Sequence, residues 1–143
     1  MSPDLPTDPD CIFCKIVAGD IPCHKVYEDD HVLAFLDINP LSEGHTVLIP
    51  RGHYPSLDAL PEPVAAACGA ALPKVGRAVA EAVPCDGWNV LQNNGKAAGQ
   101  DVMHVHFHII PRAAGDSLGF RWPAGKLDDA AAARLKQAIT AGL

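Results

Sequence analysis

Three histidines stand in strict alternation at His104, His106 and His108, inside the run HVHFHII. On an extended chain alternate side chains share a face, so the three imidazoles are expected to line up while Val105, Phe107 and Ile109 turn into a core. Neighbouring histidines are then ~6.7 Å apart along the backbone and the outer pair ~13 Å apart. Zinc–nitrogen bonds of ~2.0 Å are too short for one ion to gather all three rings. At least one imidazole is therefore free for other work. With a pKa of about 6.5 it is largely neutral near pH 7, and can serve as nucleophile, general acid or base, or oriented donor. Three ordinary solvent-facing histidines would not be expected to cluster beside a loop such as NNGKAAGQD at 93–101.

The pair Cys11-x-x-Cys14 is the second chemical feature. Five cysteines is an odd count, and without an export signal the pair reads as a metal or thiol motif rather than a disulfide framework. The plain alternative is two reduced thiols packing as small hydrophobes. Cys23, Cys68 and Cys85 have no evident partners.

The elements that must position these groups follow from patterning. Ile12, Phe13, Ile16 and Val17 have helical spacing, with Gly19 placed to end a short helix. KVYE and HVLAFLD read as two strands around the acidic pair Asp29 and Asp30, and HTVLIP as a third strand closed by Pro50. From Leu60 to Val83 an alanine-rich stretch carries an apolar stripe, the main helix, which Pro73 is expected to kink or split at a cost of about 3 kcal/mol. WNVLQ and VMHVHFHIIP suggest two more strands, and a last helix is expected from Leu127 to Ala141. This order, with short connections, favours an α+β domain with a largely antiparallel sheet. Residues 1–10, with three Pro and three Asp, are expected to form a mobile tail before a single domain at 11–143.

Composition limits the partners. The chain has 143 residues, 48% hydrophobic and 20% charged, enough for one compact core. A net charge of -6 argues against a broad grip on nucleic acid, though a few positioned donors could still hold a small phosphate. No apolar run suits a membrane span and the acidic, proline-rich start is unlike a secretory signal, so a cytoplasmic protein is expected.

Taken together, CIFCKI, IPCHKVYEDD, FLDINP, GHTVLIPRGH, NNGKAAGQDVMHVHFHIIPR and RWP resemble the histidine triad (HIT) family, in its Hint-like branch of nucleotide-binding hydrolases. The resemblance covers Cys11 to Trp122. It implies a HIT-like fold: an antiparallel five-stranded sheet with one long and one or two short helices, paired in a homodimer into a ten-stranded sheet. It implies hydrolysis of purine nucleoside 5′-phosphoramidates, with His106 as the nucleophile at the α-phosphorus, His108 on the phosphate and leaving group, and His45 and His104 completing the catalytic set. Asp37 would take the ribose hydroxyls, and Ile12, Phe13, Ile16, Phe35 and Ile38 would enclose the base. Asn93, Gly99, Gln100, Asp101 and Val102 would meet ribose and phosphate. Asp101 departs from the animal Hint pattern, which has a serine there, so its backbone rather than its side chain is the expected phosphate contact. Turn stabilisation is the alternative role for Asp37, and ordinary core packing for the apolar residues.

The same resemblance gives Cys11 and Cys14 two further ligands, His53 and His104, in a closed structural zinc site. Trp122 would reach the partner's pocket and tune leaving-group selectivity, or else anchor its own chain. Two other functions remain in view: dinucleoside polyphosphate hydrolysis, as in the Fhit-like branch, and a nucleotide-binding interaction module with incidental hydrolysis. His108 argues against the uridylyltransferase branch, whose members carry Gln there.

Overall fold

The computed structural model describes residues 4–119 and 122–143. In chain order these form α1 (Ile12–Ala18), β1 (Lys25–Glu28), β2 (Val32–Leu36), β3 (Thr46–Pro50), α2 (Glu62–Ala82), β4 (Gly87–Gln92), β5 (Phe107–Arg112) and α3 (Asp129–Ala141). Short 3₁₀ turns stand at Leu57–Ala59 and Lys96–Ala98. All five strands join one antiparallel sheet in the order β1-β2-β3-β5-β4.

Alternation along the strands separates two cores. Val32, Ala34, Leu48, Phe107 and Ile109 face α2 and pack with its Cys68, Ala71, Val75 and Val79; Val105 joins them. Leu33, Phe35, Val47 and Ile49 turn to the other face and pack with Phe13, Ile16 and Val17 of α1. His45 and His108 belong to this second face, because His108 lies opposite Val47 in the β3–β5 register. The division therefore keeps the chemistry on the α1 side and leaves α2 as structural backing.

Two expectations are corrected. The histidine strand was expected from Val102, but pairing starts at Phe107. Continuing the β3–β5 register would bring Val105 opposite Pro50, which has no N–H to give. Val105 N–H instead donates to Tyr54 O at 2.8 Å, and the chain before Phe107 leaves the ladder. Of the two outcomes expected at Pro73, a kink or a split, the split does not occur, and α2 is one helix from Glu62 to Ala82. Pro73 and Gly69, whose carbonyl loses its intrahelical donor, are both exposed, so water can satisfy that oxygen. Burial of Cys68, Ala71, Val75 and Val79 on the far side of the helix offsets the cost.

At Gly76 the six-membered ring of Trp88 lies directly against the helix backbone, leaving no room for a Cβ. Asp128 caps α3 by accepting from Ala131 N–H at 2.8 Å, close to the expected start. None of the α3 residues is buried.

Candidate active site

Backbone carbonyls and neighbouring rings set the protonation of each histidine. His106 Nδ1 lies 2.8 Å from His104 O. A carbonyl only accepts, so Nδ1 carries a proton, and in the neutral ring Nε2 is the atom with the lone pair. The same logic applies to His104, whose Nε2 donates to Pro50 O at 2.9 Å and whose Nδ1 is therefore the free base. His45 Nδ1 accepts from Leu41 N–H at 3.0 Å, which puts the His45 proton on Nε2. That proton goes to His108 Nδ1 at 2.9 Å, the Asp37 carboxylate being farther off at 3.6 Å. His108 then bears its own proton on Nε2. A chain of oriented bonds thus leaves His106 Nε2 as a base and His108 Nε2–H as a donor, with the two ring centres 4.9 Å apart.

Burial favours the neutral form of His108, His45 and His104. It is the largest influence on His108 and pushes its pKa down to about 4, helped by His106 and His45 and opposed by Asp37 and Asp101. Burial also lowers His45, against the pull of Asp37. His104 is likewise pushed down to about 4 by burial, opposed by the Pro50 carbonyl.

Each element has a local reason for its placement. Gly44, at φ 86, turns the chain into His45, and a Cβ there would meet Val83 Cγ2 at 2.6 Å. Asp37 N–H donates to His45 O at 2.9 Å, holding the end of β2 beside β3. Asp37 Oδ1 accepts from Asn39 N–H at 2.8 Å, so the turn role is real, while Oδ2 faces His45. Phe13 packs edge-on against Phe35 at 5.7 Å and against His106 at 5.2 Å, tying the apolar residues of α1 to the central triad histidine. Ile16 joins that apolar cluster, whereas Ile12 and Ile38 are exposed at its margin.

The loop 93–102 is closed from within. Gln100 is buried, and its amide accepts from Gly95 N–H while donating to Pro55 O and Val102 O. Its side chain therefore shapes the loop. Gly99, in the left-handed region at φ 95, donates its N–H to Lys96 O, and Gln100 N–H goes to Gly95 O. Asn93 Nδ2 reaches Gly99 O at 3.4 Å. Val102 N–H is taken by Asp101 Oδ1 at 3.0 Å, so of the N–H groups at 99–102 the one on Asp101 is left to face a ligand. Its carboxylate lies 3.5 Å from His106 Nε2.

Cys11, Cys14, His53 and His104 converge, with one donor atom from each lying within 4.8 Å of the others. Cys11 Sγ to His104 Nδ1 and Cys14 Sγ to His53 Nδ1 are both 3.5 Å, and Cys14 Sγ to His104 Nδ1 is 3.7 Å. A tetrahedral ion with Zn–S of ~2.3 Å and Zn–N of ~2.0 Å requires S···N edges of roughly 3.5 Å. The donor set and spacing fit zinc, and the ring proton on His104 Nε2 leaves Nδ1 as the ligand atom. Cys11 also caps α1, its sulfur accepting from Cys14 N–H at 3.5 Å. Burial raises the Cys11 thiol, so metal binding there must displace a proton. The residues expected to be a loose tail meet this cluster: His53 N–H donates to Pro6 O at 2.7 Å and Asp8 N–H points at Cys14 Sγ. Met1, Ser2 and Pro3 lie outside the described residues, as does Arg121 of the RWP segment.

Comparison with known proteins agrees with this geometry. The family model of the HIT domain matches residues 18–115. This chain belongs to the HIT family. "Adenylylsulfatase HINT3" of Arabidopsis thaliana is 50% identical over 109 residues, 76% of this chain and 55% of the plant protein, so this chain matches only about half that relative's length. "Adenosine 5'-monophosphoramidase hnt1" of Schizosaccharomyces pombe is 49% identical over 115 residues, covering 80% and 84% of the two chains. Among solved structures, SMU.412c from Streptococcus mutans superposes with TM-score 0.90 at 43% identity, over 95% of this chain and 87% of that one. A Zn-bound histidine triad family protein from Mycobacterium smegmatis gives 0.72 at 41% identity, over 90% and 97%. Sequence reasoning missed the groups that orient this HIT triad, namely Pro50 O, His104 O and Leu41 N–H, because backbone atoms leave no mark in residue identity.

Proposed function

We propose that this HIT protein hydrolyses purine nucleoside 5′-phosphoramidates through a nucleotidyl group carried on His106 Nε2. The observation that carries the reading is the hydrogen-bond pattern, with Nδ1 of the buried His106 2.8 Å from His104 O and His45 Nε2 2.9 Å from His108 Nδ1, which in the neutral rings leaves His106 Nε2 as the nucleophilic atom beside the His108 Nε2–H donor. In the first half-reaction Nε2 attacks the α-phosphorus and the P–N bond breaks. The departing nitrogen takes a proton from solvent and leaves as the amine. His108 Nε2–H and Asp101 N–H are the donors for the phosphoryl oxygens, whose charge is thereby stabilised without reorganising the site. In the second half-reaction water attacks the phosphorus, returns a proton to solvent, and releases the nucleoside monophosphate and His106. Covalent catalysis divides one difficult displacement into two easier ones.

The names of the relatives support the nucleotide substrate and hydrolysis. Asp37 would take a ribose hydroxyl, and Phe13 and Phe35, packed edge-on, would offer aromatic surface for the base. Replacing His106 by Ala should lower kcat by several orders of magnitude and leave nucleotide affinity near normal. Retention of more than about a tenth of kcat, about 1.4 kcal/mol, overturns the role.

Zinc in the Cys11, Cys14, His53 and His104 site would be structural, since four protein ligands leave no open position. It would fix the ring of His104, whose carbonyl orients His106. Reduced thiols of this kind suit a cytoplasmic protein, and no described helix is long and apolar enough to cross a membrane. With its net charge of -6 the protein is expected to bind nucleotides rather than nucleic acid. For the homodimer, β4 is an edge strand that exposes Trp88 and Val90, and pairing two such edges would make the ten-stranded sheet. Trp122, 82% exposed, would then reach the partner's leaving-group side.

A further inference from the structure

The reaction just described uses the Asp101 N–H and leaves its carboxylate without a task. That carboxylate stands 3.5 Å from the atom that must bond phosphorus. It is not there by default, since Val102 N–H holds the same Oδ1 at 3.0 Å. Nor is it neutralised, for among the described residues no Lys or Arg pairs with it. The Asp101 side chain is 81% exposed and that of His106 3%, so the carboxylate guards the solvent side of a buried nucleophile. A leaving group on a phosphorus bonded to Nε2 stands only two bonds from the atom this carboxylate neighbours.

An ionised carboxylate only accepts hydrogen bonds, and it raises the energy of any anion beside it. It therefore cannot bind the phosphoryl oxygens. We propose that Asp101 selects the leaving group by charge, favouring a nitrogen that departs protonated and disfavouring an anion such as sulfate. This inference rests on the nucleotidyl-transfer reading above and adds the leaving-group class to it. As the His106–phosphorus bond forms and the P–N bond breaks, the nitrogen that has gained a solvent proton donates an N–H to Asp101. The carboxylate accepts that hydrogen bond without taking the proton, and the nitrogen leaves as the amine. Sulfate would instead depart with the bonding pair as a dianion, carrying no proton to offer. Overall likeness does not choose between these chemistries, because the relatives named adenylylsulfatase and adenosine 5′-monophosphoramidase are 50% and 49% identical to this chain. The charge beside the nucleophile does.

The test measures kcat/KM for adenosine 5′-phosphoramidate and for adenylyl sulfate with the full-length wild type, Asp101→Asn and Asp101→Glu. The Asn variant keeps the shape and removes the charge, so the phosphoramidate-to-sulfate ratio should fall fivefold or more, with sulfate turnover rising. The Glu variant should keep the wild-type preference, and the melting temperature should hold in both because the side chain is exposed. A smaller change in the ratio for Asp101→Asn, or an equal loss on both substrates, overturns the proposal while leaving the His106 chemistry intact. No His106-dependent turnover of either substrate by the wild type would instead overturn the functional reading itself, and this inference with it.

Discussion

Replacing His45 by phenylalanine tests whether the triad is oriented from behind by a chain of hydrogen bonds. The side chain is 2% exposed, and the substitution keeps a planar aromatic ring, somewhat larger, while removing both nitrogens. The first loss is the 3.0 Å bond from Leu41 N–H to Nδ1. A part-buried N–H without a partner costs about 1–3 kcal/mol of stability. The second loss is the 2.9 Å bond from Nε2–H to His108 Nδ1. His108 can then put its proton on either nitrogen and no longer presents a fixed donor to the phosphoryl group. One neutral hydrogen bond is worth about 1 kcal/mol, so kcat/KM should fall roughly five- to tenfold. His45→Gln, which retains an acceptor and a donor, should recover part of both. The assay pairs denaturant unfolding with steady-state hydrolysis of adenosine 5′-phosphoramidate. A His45→Phe enzyme with kcat/KM within twofold of wild type would refute the orienting chain, whatever its stability.

Three further outcomes are expected. Protein purified without chelator should carry about one zinc per chain, and Cys14→Ser should lose both metal and thermal stability; metal analysis near zero contradicts the site. Gly76→Ala should cost about 1–3 kcal/mol in urea unfolding, because a methyl there overlaps the Trp88 ring; an unchanged midpoint would mean that the ring moves freely. His108 is pushed to about 4 in the fold against 6.5 when unfolded, so the unfolded chain takes up this proton first as pH falls. Its contribution, at most about 3 kcal/mol, is full above pH 6.5 and drains away towards pH 4. The stability of His108→Gln should therefore decline less than wild type across that window, and parallel curves would contradict the shift.

How much of this was legible in the sequence depends on which atoms did the work. The alternation at His104, His106 and His108 correctly placed Val105, Phe107 and Ile109 in the core opposite the site. Side-chain type and spacing carry that information, as they do for Cys11 and Cys14. The start of β5 differs from the pattern because the run from Val102 to His106 resembles a strand, while the limit lies in a partner, Pro50, which cannot extend the ladder. The unbroken α2 was misjudged because the cost of Pro73 is local and visible, whereas the burial that offsets it comes from the sheet. Gln100 resembled a ligand-loop residue, yet its amide closes the loop on Gly95, Pro55 and Val102. Asp101 is recognisable as a departure from the serine of the animal Hint pattern, but only coordinates put its carboxylate beside His106 Nε2.

The covalent role of His106 is tested most directly by catching the intermediate. Enzyme mixed with adenosine 5′-phosphoramidate, quenched in alkali within the first turnovers and digested, should yield one peptide heavier by an adenylyl group, with the added mass on His106 and lost on mild acid treatment. The His106→Ala protein should show neither the adduct nor turnover. Adenylylation at another residue, or continued turnover by wild type with no adduct at any quench time and by His106→Ala at more than about a tenth of the wild-type rate, would contradict the account.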